Sequence, residues 1–190
     1  AVFTFTIDST TVVFTNQSLN ASVYLWYFGD GDSMVGLTDI DTIDPYLDPP
    51  VVHTYTNTSA TNDTVYIIKL VTNSQFECPN TAYDTIVVYP KPIAGFTYSS
   101  SSLCSPVIIC FTDSSVGKAP LAYFWNFGDG FTSTLQNPCH TFINDTIFPI
   151  EFTVTNSVTS ADGCVDLASQ AIVVATSKFS IFPDSAGCSP

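Results

Sequence analysis

One six-residue run occurs twice, as Trp26-Tyr27-Phe28-Gly29-Asp30-Gly31 and as Trp125-Asn126-Phe127-Gly128-Asp129-Gly130. The echo extends to both sides in the same order. Val13-Phe14-Thr15-Asn16-Gln17-Ser18 is answered by Cys110-Phe111-Thr112-Asp113-Ser114-Ser115, and Pro50-Val51-Val52-His53-Thr54-Tyr55 by Pro138-Cys139-His140-Thr141-Phe142. Further on, Val71-Thr72-Asn73-Ser74 is matched to Val154-Thr155-Asn156-Ser157, and Ile86-Val87-Val88 to Ile172-Val173-Val174. An ordered set of this kind means copies of one structural unit, so any fold must close within a single copy. The copies are expected over 1–90 and 91–176. Phe179-Ser180-Ile181 followed by Cys188-Ser189-Pro190 answers Phe96-Thr97-Tyr98 followed by Cys104-Ser105-Pro106, so 177–190 reads as the start of a third repeat in a longer array. The joint Tyr89-Pro90-Lys91-Pro92 is short and stiffened by proline.

Within a copy the apolar period is two. Ile150, Phe152 and Val154 alternate with Glu151 and Thr153, and Ile68 and Leu70 flank Lys69. Such runs, spaced by Gly, Asn, Asp and Pro, predict six or seven short strands per copy and no helix. The fold class is all-β, with tandem Ig-like antiparallel β-sandwiches. Trp26 with Phe28, and Trp125 with Phe127, stand two apart and should point inward. Asp30 and Asp129 should bond amides of the glycine turns that follow. His53 and His140 are expected to open a strand and to hydrogen-bond locally, as structural residues.

These motifs resemble the PKD (polycystic kidney disease) domain family, whose marks are a Trp-x-Phe-Gly-Asp-Gly strand-to-turn segment, a later Pro-x-His-x-Tyr segment, and a Val-Thr-Asn strand end. The first copy departs by an insertion placed at 35–49, which lengthens the stretch from Trp26 to His53. The resemblance implies seven-stranded, PKD-type sandwiches of extracellular proteins, often in tandem, acting as spacer, adhesive or accessory-binding modules without catalysis.

Composition excludes other classes. The net charge is −13, with four lysines and no arginine, so nothing could neutralise a row of phosphates and nucleic acid is excluded as a partner. No apolar run reaches the ~20 residues of a membrane helix. There is no phosphate-binding loop and no Ser-His-Asp spacing, and paired carboxylates occur only in the acidic loop, which argues against an enzyme. Six cysteines and a charged fraction of 11% point to an exported protein of a bacterial cell surface. The expected role is a non-catalytic structural segment of a surface filament, stalk or adhesin, glycosylated and self-associating. The alternative is a carbohydrate- or calcium-dependent accessory module of a secreted enzyme.

Four sets of candidate site residues follow. Ten acids against one lysine leave the first copy at −9, and six against two leave the second at −4. No cofactor is required, but Ca²⁺ is the candidate ligand for Asp30, Asp32, Asp39, Asp41 and Asp44. Cys110 and Cys139 fall where the first copy has Val13 and Val52, a joint exchange that predicts a Cys110–Cys139 disulfide. The pairing of Cys78, Cys104, Cys164 and Cys188 stays open between 78–104 with 164–188, and 104–164. Eight of fifteen Asp residues precede Ser or Thr, and in seven of these the next residue is Thr, Met, Ala, Val or Ile, which resembles the acceptor motif of a bacterial O-glycosylation system. The hydroxyls concerned are those of Ser9, Ser33, Thr42, Thr64, Thr85, Thr146 and Ser185. Asn-x-Ser/Thr sequons stand at Asn16, Asn20, Asn57, Asn62 and Asn144. Finally, Leu25, Tyr27 and Phe124, with Phe131 after the second turn, are apolar where a lone sandwich places Thr, Lys or Glu. They are the expected contact surface for copies of this chain or another surface protein.

Overall fold

The structure is a computed structural model, and it describes all residues except 9, 20, 38–49, 75, 77, 101 and 177–190. The chain divides into two compact units: Ala1–Thr58 with Asp63–Tyr89 make the first, and Ser59–Asn62 are grouped with the residues from Pro90 onward in the second. In the first, β1 (Phe3–Asp8), β2 (Thr11–Asn16) and β5 (Val51–Thr54) form one sheet in the order β1-β2-β5. The second sheet, ordered β4-β3-β6-β7, contains β3 (Val23–Tyr27), β4 (Ser33–Leu37), β6 (Thr64–Asn73) and β7 (Pro79–Val88). The second unit repeats the plan. Its smaller sheet is β12-β9-β8, from β8 (Phe96–Ser99), β9 (Val107–Asp113) and β12 (Cys139–Phe142). Its larger sheet is β11-β10-β13-β14, from β10 (Ala122–Asn126), β11 (Thr132–Ser133), β13 (Ile150–Thr159) and β14 (Val165–Val174). Neighbouring strands of each sheet are antiparallel. No described residue is helical, and no helix is long and apolar enough to cross a membrane. Each unit is thus a seven-stranded, Ig-like sandwich.

Alternation of side chains across the pleat builds the core. Val12 and Phe14 of β2 meet Trp26 of β3 and Ile68 and Leu70 of β6, all fully buried. The ring of Phe14 lies 5.1 Å from Trp26, and in the second unit Phe111 lies 5.3 Å from Trp125. The buried tryptophans fill equivalent places between the sheets.

Glycine is required where the turn after β3 crosses β6. Gly29 has φ +87°, and a Cβ there would sit 2.6 Å from the carbonyl oxygen of Ile67; Gly128 has φ +82° and meets Thr153 in the same way. This equivalence corrects the expected alignment of the two copies. Leu25 pairs with Val71, and its counterpart Phe124 pairs with Ser157, so Val71 corresponds to Ser157 and not to Val154. The matching Val-Thr-Asn strings are a coincidence of strands rich in Val and Thr. Val35, Gly36 and Leu37 extend β4 beyond the two residues, Thr132 and Ser133, of its counterpart β11.

In the second unit the leading segment is tied along β14. Asp166 accepts a hydrogen bond from the Ala94 amide at 2.9 Å and pairs with Lys91 Nζ at 2.8 Å. The Ala94 amide, with the Lys91 ammonium, holds the Asp166 carboxyl below the ordinary carboxylate range. Gln170 Nε2 donates to the Phe96 carbonyl at 2.6 Å, and Ser105 N donates to the Ala175 carbonyl at 3.0 Å.

Candidate functional site

The Gly-Asp-Gly turn and the histidine meet at one end of each sandwich. Asp30 Oδ1 accepts from the Asp32 amide at 3.1 Å, which fixes the turn, while Oδ2 accepts from His53 Nε2 at 2.6 Å. His53 lies flat on Phe28, with centroids 4.1 Å apart and planes 6° apart, and meets Tyr55 edge-on at 4.7 Å. The Tyr55 hydroxyl donates to the Phe28 carbonyl at 3.1 Å. Since Phe28 and Asp30 follow β3 and His53 sits in β5, these contacts bind one sheet to the other. The second unit has the same arrangement: Asp129 Oδ2 to His140 Nε2 is 2.6 Å, and His140 stacks on Phe127 at 4.2 Å. The histidines therefore do not bond locally, contrary to the expectation from sequence. Their partners lie 23 and 11 residues upstream, because the sandwich folds the turn over the other sheet.

Burial alone would raise the Asp30 carboxyl, but the hydrogen bonds from His53 and the Asp32 amide outweigh it and hold the group below its ordinary value. Burial pushes the Tyr55 phenol well above its ordinary range, and the Asp30 charge adds to that.

Among the described residues, Asp30, Asp32 and His53 form a possible metal-holding group, each offering one donor atom, all within 4.8 Å of one another. The second unit has Phe131 in the place of Asp32, and its ring lies 5.5 Å from His140. Asp39, Asp41 and Asp44 lie outside the described residues. Asp30 Oδ2 and His53 Nε2 already bond each other, so a cation taking both would replace that bond, whereas ligation through Asp32 leaves it intact. Nothing in the spacing of the acids points to His53; the Asp-His pair recurring in both copies is the signal that does.

Cys110 and Cys139 are opposite each other in register on β9 and β12 and are bonded, with Cα atoms 4.0 Å apart. Val13 and Val52 occupy the same paired position on β2 and β5. Cys78 and Cys164 are free thiols, and Cys104 is disulfide-bonded. None of the 78–104, 164–188 and 104–164 pairings is formed. For 104–164 the reason is distance: Cys164 precedes β14 and Cys104 bridges Ala175 beyond its far end, about 30 Å of strand away.

Of the candidate glycosylation positions, Ser33 and Thr85 are exposed and Thr64 is half-buried. The Thr146 hydroxyl is engaged with Asn144 Oδ1 at 2.7 Å. Ser9, Thr42 and Ser185 lie outside the described residues. Asn144 is closed to modification, since it is 1% exposed and its amide donates to the Phe148 and Val174 carbonyls. Among the expected contact residues, Tyr27, Phe124 and Phe131 are exposed and Leu25 is half-buried. Lys69 Nζ stands 5.0 Å over the Tyr27 ring.

Several solved structures are similar to this chain. The PKD1 domain of the Vibrio cholerae metalloprotease PrtV is 27% identical, with 45% of this chain and 99% of that one covered and a TM-score of 0.38. The PKD1 domain of Vibrio anguillarum Epp is 21% identical, with 46% and 98% covered and a TM-score of 0.39. A tetra-tandem repeat from the extending region of a large adhesion protein is 16% identical, with 88% and 47% covered and a TM-score of 0.26. No curated protein matches the chain. Residues 90–172, the second sandwich with its Asp129–His140 pair, match the family model of the PKD domain.

Proposed function

We propose that the chain is a non-catalytic structural segment of an extracellular bacterial surface protein, in which sandwiches in series build a stalk, filament or adhesin. The observation that carries this reading is the Asp-His-Phe cluster present in both units. The groups most like a reactive site are engaged twice, in the same way, in joining one sheet to the other. Self-association belongs to the same reading, and so do glycans on Thr64 and Thr146, together with Ser9, Thr42 and Ser185: sugars would cover apolar surface that few charges leave uncovered. Ser33 and Thr85 share the outward face of the β4-β3-β6-β7 sheet with Tyr27 and Ile67, so they would carry sugar only where that face stays unpacked. The test is replacement of this segment in its parent protein by two unrelated seven-stranded sandwiches of equal length. A structural spacer is rescued by the replacement. A segment that binds a ligand or performs chemistry is not.

A second reading, an accessory module that needs a cation, is favoured by one observation, the Asp30-Asp32-His53 group of the first unit. Asp30 and Asp32, with Asp39, Asp41 and Asp44, would supply oxygens to Ca²⁺.

A further inference from the structure

The two units differ most on the outward face of the larger sheet. In the first unit the strand registers bring Val35, Leu25, Val71 and Thr81 into one row across four strands, with Tyr27, Lys69 and Tyr83 in the next. Ile67 and Val65 continue the face along β6. Val35, Val65, Ile67 and Tyr83 are each 58–64% exposed. The corresponding β13 positions of the second unit are Ser157, Thr155, Thr153 and Glu151, a polar strand that divides the exposed Phe124 of β10 from the exposed Val165, Leu167 and Val173 of β14. An apolar face this continuous is unusual on a solvated sandwich.

Charge identifies the occupant. The chain carries −13, so two copies repel wherever carboxylates oppose each other. Among the described residues, no outward position of β3, β4, β6 or β7 is acidic. The one charged group there is Lys69, already seated over Tyr27. This is a face that two copies can bring together without opposing carboxylates. Four strands about 4.8 Å apart and about 25 Å long present roughly 450 Å² in projection. Two such faces bury about 900 Å², near the lower limit for specific association. A single pair is therefore weak, and repetition along an array multiplies it. We propose that the outward β4-β3-β6-β7 face of the first unit is where a second copy of this chain packs, sheet against sheet. The proposal rests on the self-associating reading above and names its surface, with Phe124 and Phe131 of the second unit left outside it.

Sedimentation of the whole chain across a concentration series tests this. The parent should dimerise reversibly, and more tightly as salt rises, because screening removes the residual repulsion. The variant Val65→Glu/Ile67→Thr/Val71→Ser, which gives the first unit the residues of the second, should weaken association at least tenfold. The control Phe124→Thr/Leu167→Thr should not. Should the triple variant unfold, hydroxyl-radical footprinting of the parent replaces it, with concentration-dependent protection of Tyr83 and Tyr27 but not of Phe124. A parent that stays monomeric overturns the proposal, as does dimerisation seen only after residues 39–48 are deleted, which would mean that the insertion covers the face. Loss of association in the Phe124/Leu167 control also overturns it. None of these outcomes bears on rescue by unrelated sandwiches, so the structural reading stands or falls separately.

Discussion

Trp26 and Trp125 occupy the same place in two sandwiches, yet their surroundings are solved differently. Trp26 pairs across the ladder with Leu70, whereas Trp125 pairs with Asn156. Asn156 is fully buried, and neither its side-chain oxygen nor its nitrogen has a hydrogen-bond partner. Conversely, Trp125 Nε1 donates to the Leu135 carbonyl at 2.8 Å, while Trp26 Nε1 is buried without a partner. An unbonded buried amide costs about 1–3 kcal/mol. The second unit, where both polar atoms of an amide go unpaired against one indole N–H in the first, is also the one with the Cys110–Cys139 bridge where the first has two valines. A crosslink of comparable worth stands in the unit with the poorer core. The comparison teaches that one fold can reach stability by apolar packing or by covalent closure, and that the choice is made position by position.

The largest expected effect breaks the bridge. Cys110→Val/Cys139→Val, which copies the first unit, should lower the stability of the second by about 3–4 kcal/mol through a closed loop of some 29 residues. Calorimetry should show one of two unfolding transitions moving and the other fixed; movement of both, or of neither, would undo the comparison. Next, Asn156→Leu should raise the second transition, by about 2 kcal/mol. A loss of stability there would mean that the amide has partners the ladder does not account for.

A smaller effect concerns acid. The Asp30 carboxyl is held below its unfolded value, so its contribution is present above that value and is lost as pH falls through the folded one, below about pH 4. Asp30→Asn should flatten the acid dependence of the first unit only over that range, by under about 1 kcal/mol because the group is partly solvated. Urea midpoints measured between pH 2 and 5 would check it. The smallest expected signal is a cation. Asp32→Phe gives the first unit the residue that the second has, and it should abolish the heat of Ca²⁺ addition to the whole chain. Equal heats for parent and variant, or none for either, would leave Asp30 and His53 with their sheet-joining role alone.

Much of this was legible in the sequence, for identifiable reasons. Period-two alternation in Ile150 to Val154 places side chains on two faces without further information, and the paired exchange of Val13 and Val52 for Cys110 and Cys139 marks two positions that touch. The register of β6 against β13 was not legible. Strands rich in Val and Thr generate matching strings by composition, and only the partners of Leu25 and Phe124 reveal that Val71 answers Ser157. The Asp30–His53 bond was hidden for a different reason: it crosses between sheets, and its two residues stand 23 apart with no local pattern joining them. Asn144 satisfied a sequon by spelling, yet its amide is committed to two backbone carbonyls.

The ties along β14 have a mechanical consequence. The second unit is entered beside Asp166, at one end of that ten-residue strand, and is left beyond Ala175, at the other. The links at Ala94, Phe96 and Ser105 follow the same line in the same direction. Tension between the two ends of the unit therefore slides the leading segment lengthwise past β14 and strains those links together, in shear, where a hairpin pulled open from its end would lose its bonds one at a time.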